Sequence, residues 1–504
     1  MLQLSELDSS FLFLETDQTP LHVGGVFVFK KLKKGSTISF ERFREILESK
    51  LENEPFFRER LVEYPLNLDL PVWADDPAFN LDNHVSRLEL LKDDKLDLMD
   101  LASIFFSETL DRTRPLWQAA YIDSIEQDAS GKYKKGDFAL FFKVHITAID
   151  GLTGEDILSQ LLHVSPEISE LSTQPTWTPK PLPDTGTWLG AAYNNVLNIP
   201  AKLTHLAKDT ASSAFYSLFY ERLQKLNLPT SLMSVASTPA NQKITNKRSI
   251  ENIEIPLSDI RLIRKNLKNV TTNDILMGIC AEAISNYLSD MESNPPTDLI
   301  ALAPISVRST QIDYKSGNQL AATLFSLATT EPNPIKRIQL INEAATTANS
   351  YDAAISAHRL TELVPSCTAG LSARVYSEFL LPQKHQPMFN LPIINIPGPQ
   401  FPLYFEDAEL SRYIGTAPLF DGIGLALMIV SYNGKYSITC TYCPDTLNLA
   451  KPFSHYLSQA LETILNANFS EIGDISEEEH ISRKTGLIED AVGLVSNLFS
   501  IGKS

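Results

Sequence analysis

A layered fold of mixed strands and helices, α/β or α+β, built as two domains or as two halves of one pseudo-symmetric unit, is what this sequence predicts. Three observations carry the prediction. The chain has 504 residues, more than one hydrophobic core usually supports. Its first part alternates strand-like with helix-like segments. The same mixed pattern starts again near Ile253, after a stretch rich in proline, serine and threonine.

The elements follow from hydrophobic periodicity. "LHVGGVFVF" (21–29) reads as a strand, and residues 39–54 as a helix with Phe40, Phe43, Ile46, Leu47 and Leu51 on one face. Residues 96–110 form a second amphipathic helix, residues 117–126 begin as a strand, and "GDFALFFKVHITAIDG" (136–151) is the most apolar strand. "LTGEDILSQLLH" after it has helical spacing. A linker starts at residue 165, followed by a mostly helical stretch (186–226) and a loop (228–249). In the second half, 271–290 is a helix and 299–308 a strand, and "GLALMIVSYNGKYSITCTYC" is a hairpin turning at Asn433-Gly434. The boundaries read as 1–165 for the first half, 166–250 for linker and crossover, 251–475 for the second half, and 476–504 for an amphipathic extension. In that extension Leu487, Ile488, Val492, Leu494, Val495, Leu498 and Phe499 share one helical face, suited to docking on the protein, a partner or a membrane surface.

Composition narrows the function. A net charge of -18 argues against nucleic acid, which needs a basic surface. Cys280, Cys367, Cys440 and Cys443 are too few for a disulfide framework, and the single C-x-x-C at 440–443 has no second pair to complete a metal site, so no metal is expected. The N-terminus lacks a basic region typical of a signal peptide, and no uncharged apolar run approaches the ~18 residues of a spanning helix. The expectation is a cytoplasmic protein that touches a membrane, at most, from one side.

The stretch that suggests chemistry is "FFKVHITAIDG" (141–151). It is a strand that delivers His145 to a loop, with Asp150 and Gly151 following. An imidazole titrates near neutrality and can take a proton from a hydroxyl or thiol, and a glycine permits close approach of a substrate. By spacing alone a lone histidine before a turn is more often a structural residue. The remaining histidines show no H-x-x-x-H spacing, and no Gly-x-Ser-x-Gly elbow occurs.

Several segments together resemble one family. "LSELDSSFLFLET" with "TPLHVGG", "DRTRPLW" (111–117), "TTNDILMG" with Asn273-Asp274, "APISVR" (303–308), "NIPGPQFPLYFEDAEL" and "PLFDGIGLALMIVSYNGK" occur in the order found in the bacterial wax ester synthase/diacylglycerol acyltransferase family, within the acyl-CoA-dependent superfamily that includes chloramphenicol acetyltransferase. The resemblance covers nearly the whole chain. It implies a chloramphenicol-acetyltransferase-like fold of two pseudo-related halves with a central substrate tunnel. It also implies transfer of an acyl chain from acyl-CoA, a substrate and not a cofactor, to a long-chain alcohol or a diacylglycerol. No cofactor is implied.

The family's His-His-x-x-x-Asp-Gly motif reads here His145-Ile146-Thr147-Ala148-Ile149-Asp150-Gly151. Ile146 occupies the position of the general base, and isoleucine has no lone pair to accept a proton. His145, adjacent in an extended segment, points the opposite way from Ile146. The resemblance further implies active-site roles for Asn273 and Asp274, an Asp150–Arg308 pair holding the loop, and tunnel positions for His22, Gly24, Gly25, Asp421 and Gly422. Pro115, Leu116 and Trp117 form a rigid turn with a packed indole, and an Asn or Asp opening a helix is also ordinary capping chemistry. Three readings follow: an acyltransferase that relies on binding and orientation; a protein that binds acyl-CoA or lipid without turnover; and a scaffold at a lipid surface. The expected location is the cytoplasm, peripheral to the inner membrane or to lipid inclusions.

Overall fold

The computed structural model describes residues 2–4, 6–31, 38–50, 55–64, 70–89, 96–125, 133, 136–149, 161–166, 178–181, 235–267, 269–306, 320–350, 355–356 and 389–467. Asp150, Gly151, Arg308, the expected helices after residue 151 and over 186–226, and the C-terminal amphipathic segment lie outside the described residues.

Two mixed sheets organise the fold. The first contains β2 (His22–Lys31), β5 (Val85–Glu89), β6 (Trp117–Ile125), β7 (Asp137–His145), β13 (Tyr404–Phe405) and β14 (Ala408–Thr416), in the order β13-β14-β2-β7-β6-β5. The second contains β8 (Ser249–Pro256), β9 (Ile300–Ser306), β10 (Leu320–Ser326), β11 (Ile355–Ser356), β12 (Leu391–Ile396), β15 (Leu425–Tyr432) and β16 (Lys435–Tyr442), in the order β11-β10-β9-β12-β15-β16-β8. A small third sheet joins β1 (Leu2–Gln3), β4 (Val72–Asp75) and β3 (Glu59–Val62). The β5–β6, β9–β12 and β12–β15 pairs are parallel, which makes both large sheets mixed as the sequence predicts.

The central strand β7 is apolar along most of its length because both its faces are covered, the condition under which a strand loses its polar alternation. Phe138, Leu140, Phe142 and Val144 meet Phe43, Ile46 and Leu47 of α2 (Phe40–Lys50) on one face. Ala139 and Phe141 meet Leu98, Ala102, Phe105 and Phe106 of α3 (Leu98–Ser107) on the other. The alternation then places Lys143 and His145 on the α3 face. Against the second sheet pack α4 (Leu257–Asn266), α5 (Thr272–Asp290), α6 (Pro334–Ser350) and α7 (Phe453–Leu465). The hairpin turns where the sequence places it, with Asn433 at φ 42° and Gly434 at φ 80°, the positive values its two-residue turn demands.

Strand β14 binds the two halves into one body. Chain order puts it with the second half, yet it is hydrogen-bonded to β2 in the first sheet. Arg412 on β14 is buried and donates from Nη2 to Asn252 Oδ1 on β8, a strand of the second sheet, at 3.0 Å. Tyr432 at the end of β15 donates its hydroxyl proton to Leu410 O and accepts the Leu403 amide, at 3.0 and 2.8 Å.

Gly24 lies in the first sheet between β7 and β14, opposite Lys143 and Thr416. A Cβ there would stand 2.0 Å from Phe142 O, so the two backbones approach more closely than any side chain permits. Gly24→Ala is expected to force β2 and β7 apart and lower the stability of the chain by about 3 kcal/mol, read as a lower denaturation midpoint at unchanged slope.

Candidate active site

At the end of β7 the chain makes a tight turn over Ile146–Ile149. Backbone bonds fix both sides of the junction: His145 N–H donates to Leu116 O at 3.0 Å, and Ile146 N–H to Leu21 O at 2.9 Å. The Pro-Leu-Trp and Pro-Leu-His segments therefore clamp the strand where it delivers its histidine. Thr147 donates its amide to His145 Nδ1 at 3.1 Å and its hydroxyl to Asp8 O, in α1 (Glu6–Leu14), at 3.1 Å.

His145 is fully buried. Because Nδ1 accepts the Thr147 amide, the proton of the neutral ring sits on Nε2, which faces Glu15 Oε1 at 3.4 Å. Nδ1 is thus committed inside the protein, while Nε2 has the carboxylate beside it without hydrogen-bond geometry. Ile146 is partly exposed. The alternation expected of an extended segment ends at His145, since Ile146 opens the turn.

Glu15 is the residue that sequence reasoning missed. Its Oε2 accepts Nε and Nη2 of Arg112 at 2.8 and 2.6 Å, and its Oε1 accepts the Leu21 amide at 3.2 Å. Arg112 also donates to Leu12 O at 2.7 Å. His22 Nε2 lies 3.5 Å from Oε1, but that nitrogen accepts the Leu110 amide at 3.3 Å, so His22 carries its proton on Nδ1. Burial pushes the Glu15 carboxyl up, but the His145 contact and the charge of Arg112 outweigh it and bring the group to about 2. Burial, and then the charge of Lys143, hold His22 well below the ordinary imidazole range, against the opposing pull of Glu15. The available signal was an acid at the end of "FLFLE", where a buried charge demands a partner.

Lys143 is a buried cation near this cluster. Its Nζ donates to Phe105 O and Glu108 O at 2.7 and 2.8 Å, at the C-terminal end of α3, and lies 4.5 Å from the Phe105 ring centre. A cation there meets carbonyls that the helix leaves unpaired. Burial brings its ammonium down to about 8.

The other expected residues sit in separate local frameworks. Trp117 is buried, stacks on His84 at 4.8 Å and donates its indole proton to Phe57 O at 2.9 Å, as the packed-indole reading requires. At α5 the N-cap is Thr271 and not the Asn-Asp pair. Asp274 completes the capping box: its Oδ2 accepts Thr271 N, Thr271 Oγ1 and Asn342 Nδ2 at 2.8, 2.7 and 2.7 Å. Asn273 is exposed, and its Oδ1 accepts Asn395 Nδ2 at 2.9 Å. Asp421 Oδ1 accepts the Ile244 amide at 3.2 Å, and burial pushes its carboxyl up. Gly422 donates to Gln242 O at 3.0 Å and has φ 84°. Gly25, beside Gly24, pairs with Phe142 and Gly415, inside the sheet. Arg248 connects the two regions: its charge acts on His22 and on Asp421, and its guanidinium donates to Gln18 O at 3.1 Å.

Residues 4–276 match the family model of the wax ester synthase/diacylglycerol acyltransferase catalytic domain, and residues 316–465 match that of the WS/DGAT C-terminal domain. The chain is 27% identical over 476 residues to the O-acyltransferase WSD of Acinetobacter baylyi, covering 92% of this chain and 96% of that protein. The solved wax ester synthase/diacylglycerol acyltransferase of Marinobacter aquaeolei VT8 shares the fold, with a TM-score of 0.66 and 24% identity over 92% of this chain and 98% of that one. A trichothecene 15-O-acetyltransferase of Fusarium sporotrichioides shares it at a TM-score of 0.58 and 10% identity, over 92% and 95% of the two chains.

The Glu15 carboxyl yields a pH prediction. It is depressed from its ordinary 4.5 to about 2, so the stabilisation it provides is complete above pH 4.5 and lost as pH falls towards 2. The two-and-a-half-unit interval corresponds to about 3 kcal/mol. Glu15→Gln should lower stability at pH 7 and flatten the part of the acid-unfolding curve between those limits, measured by denaturant titration at a series of pH values.

Proposed function

Because the chain belongs to the wax ester synthase/diacylglycerol acyltransferase family, we propose that it transfers the acyl group of an acyl-CoA to the hydroxyl of a diacylglycerol or a long-chain alcohol. The products are a neutral lipid and free CoA. The hydroxyl oxygen attacks the thioester carbonyl, the carbon–sulfur bond breaks, and the hydroxyl proton ends on the CoA sulfur. The match of both family domains along most of the chain carries this reading.

The proposal assigns the protein's part mainly to orientation. Leu116, Leu21 and Thr147 hold the junction at His145, and Glu15 ties the histidine to Arg112. His145 is not the base, because its Nδ1 lone pair receives a backbone amide and its Nε2 proton faces a carboxylate. Ile146 cannot take a proton, so in this reading the hydroxyl proton passes to the departing sulfur directly or through water. Aligned reactants alone supply a large part of such a rate. The tunnel between the halves, with His22, Gly24, Gly25, Asp421 and Gly422 beside it, and the Asp150–Arg308 pair belong to the same proposal. So does action at a membrane or lipid-inclusion surface from the cytoplasm. No helix among the described residues is long and apolar enough to cross a membrane.

Ile146 favours a second reading, in which the protein binds acyl-CoA without turnover. The experiment is release of free CoA from palmitoyl-CoA with hexadecanol or a diacylglycerol, for wild type and Ile146→His. Slow acceptor-dependent release is expected from wild type, with little pH dependence between 6 and 8. The substitution should raise kcat by about 10²–10⁴-fold and add a limb that rises with pH through the ordinary imidazole range near 6.5, since only the neutral ring accepts the proton. A melting temperature raised by acyl-CoA, with no CoA released by wild type, would instead establish the binding reading.

A further inference from the structure

Three stretches that are remote in sequence meet at one carboxylate: residues 12–22, residues 110–112, and the end of β7. The ligands of that carboxylate differ in kind. Arg112 engages Oε2 with two N–H groups, and its own side chain remains two-fifths exposed. Arg112 therefore neutralises Glu15 without itself losing contact with water. Oε1 faces the Leu21 amide and the Nε2 of His145. His22 does not compete as a donor at that oxygen, since its Nε2 receives the Leu110 amide.

We propose that Glu15 is the positioning residue of the acyl-transfer site: by holding the His145 proton on Nε2 it leaves Nδ1 to fix the Thr147 amide, and so sets the turn that carries residue 146. The chain of cause is short. A carboxylate beside Nε2 favours the tautomer with the proton there. With the proton on Nδ1, an N–H would face the Thr147 N–H, two donors against each other, and a buried amide would lose its acceptor. The turn would then have to open. Residue 146 follows His145 directly, so its direction changes with that turn. Glu15 touches neither substrate nor reacting atoms and acts through His145. For its rate readout the inference rests on the acyl-transfer reading; its tautomer and exchange readouts do not.

The test uses the full chain carrying Glu15→Gln, His145→Asn, or both, each in the wild-type and Ile146→His backgrounds. Long-range ¹H–¹⁵N correlations on histidine-labelled protein report the His145 tautomer, and hydrogen exchange reports the Thr147 amide. Wild type should show an Nε2–H ring and a protected amide. Glu15→Gln should lose the single tautomer, speed exchange at Thr147 at least about tenfold, and in the Ile146→His background lower kcat about 10–100-fold while KM for acyl-CoA changes less than about threefold. In His145→Asn the side-chain oxygen can take the Thr147 amide whatever stands at position 15. Adding Glu15→Gln to it should therefore change kcat less than about twofold. A carboxylate that merely stabilised the fold would lower kcat equally with and without His145→Asn, and that result would overturn the proposal. An unchanged tautomer and a protected Thr147 amide in folded Glu15→Gln protein would overturn it too. Should Glu15→Gln not fold alone, Glu15→Asp, whose carboxylate is one methylene further from Nε2, gives the same tautomer and exchange comparison. If no variant releases CoA, the acyl-transfer reading falls, while the tautomer and exchange results still decide the role of Glu15.

Discussion

An ionised carboxylate buried in a protein must be surrounded by donors, and removing any of them leaves a charge that costs several kcal/mol. Glu15 imposes that constraint on the first half of this chain. To satisfy it, α1 must end against the start of β2, the loop before β6 must bring Arg112 across, and β7 must stop where His145 reaches the same oxygen. Two backbone connections then become fixed at once, His145 to Leu116 and Ile146 to Leu21, and the Thr147 hydroxyl reaches Asp8 O. The geometry of the turn is a consequence of where the charge sits.

The second constraint is the seam between the sheets. β14 could have extended the second sheet, beside its sequence neighbour β15. It pairs with β2 instead, while Arg412 and Tyr432 tie it to β8 and to the end of the hairpin. A strand shared in this way keeps the halves from separating as rigid pieces. Arg248 at the start of β8 works in the same direction, since its guanidinium reaches Gln18 and its charge is felt at both His22 and Asp421. The N-terminal cluster and the Asp421 turn are thereby parts of one electrostatic environment.

What the sequence discloses is what depends on neighbours in the chain. β7, β2, the β15–β16 hairpin, α2, α3 and α5 are all legible, because each buries a face whose period shows in ten or so residues. The pairing of β14 with β2 is not, since nothing in residues 408–416 records a partner nearly four hundred positions away. At α5 the capping chemistry is legible in kind and misplaced by residue: Thr271 caps, and Asp274 answers it three positions later. His145 draws attention because imidazoles are few. Glu15 does not, because acids are common in this chain, and only three dimensions reveal that this one is enclosed by Leu21, Arg112 and His145.

Ile146 then raises a question of magnitudes. A general base contributes on the order of 10²–10⁴ to such a transfer, whereas alignment of two reactants is worth effective molarities of about 10⁵–10⁸ M. In the acyl-transfer proposal the framework that aligns is distributed over α1, β2, β6 and β7, while the base is a single side chain. Replacing that side chain by an apolar one leaves the connections of the framework intact, because the hydrogen bonds and ion pairs described at the junction run through backbone atoms, the Thr147 hydroxyl, His145 and Glu15, and none of them uses the side chain of residue 146. The leaving group also lightens the demand on a base. A thiolate departs without prior protonation near neutral pH, since a thiol ionises close to 8.5, so only the proton of the attacking hydroxyl needs an acceptor, and the sulfur it displaces can become that acceptor. In the proposed reading an isoleucine at this position therefore weakens the chemistry by the smaller of the two terms and leaves the larger one in place.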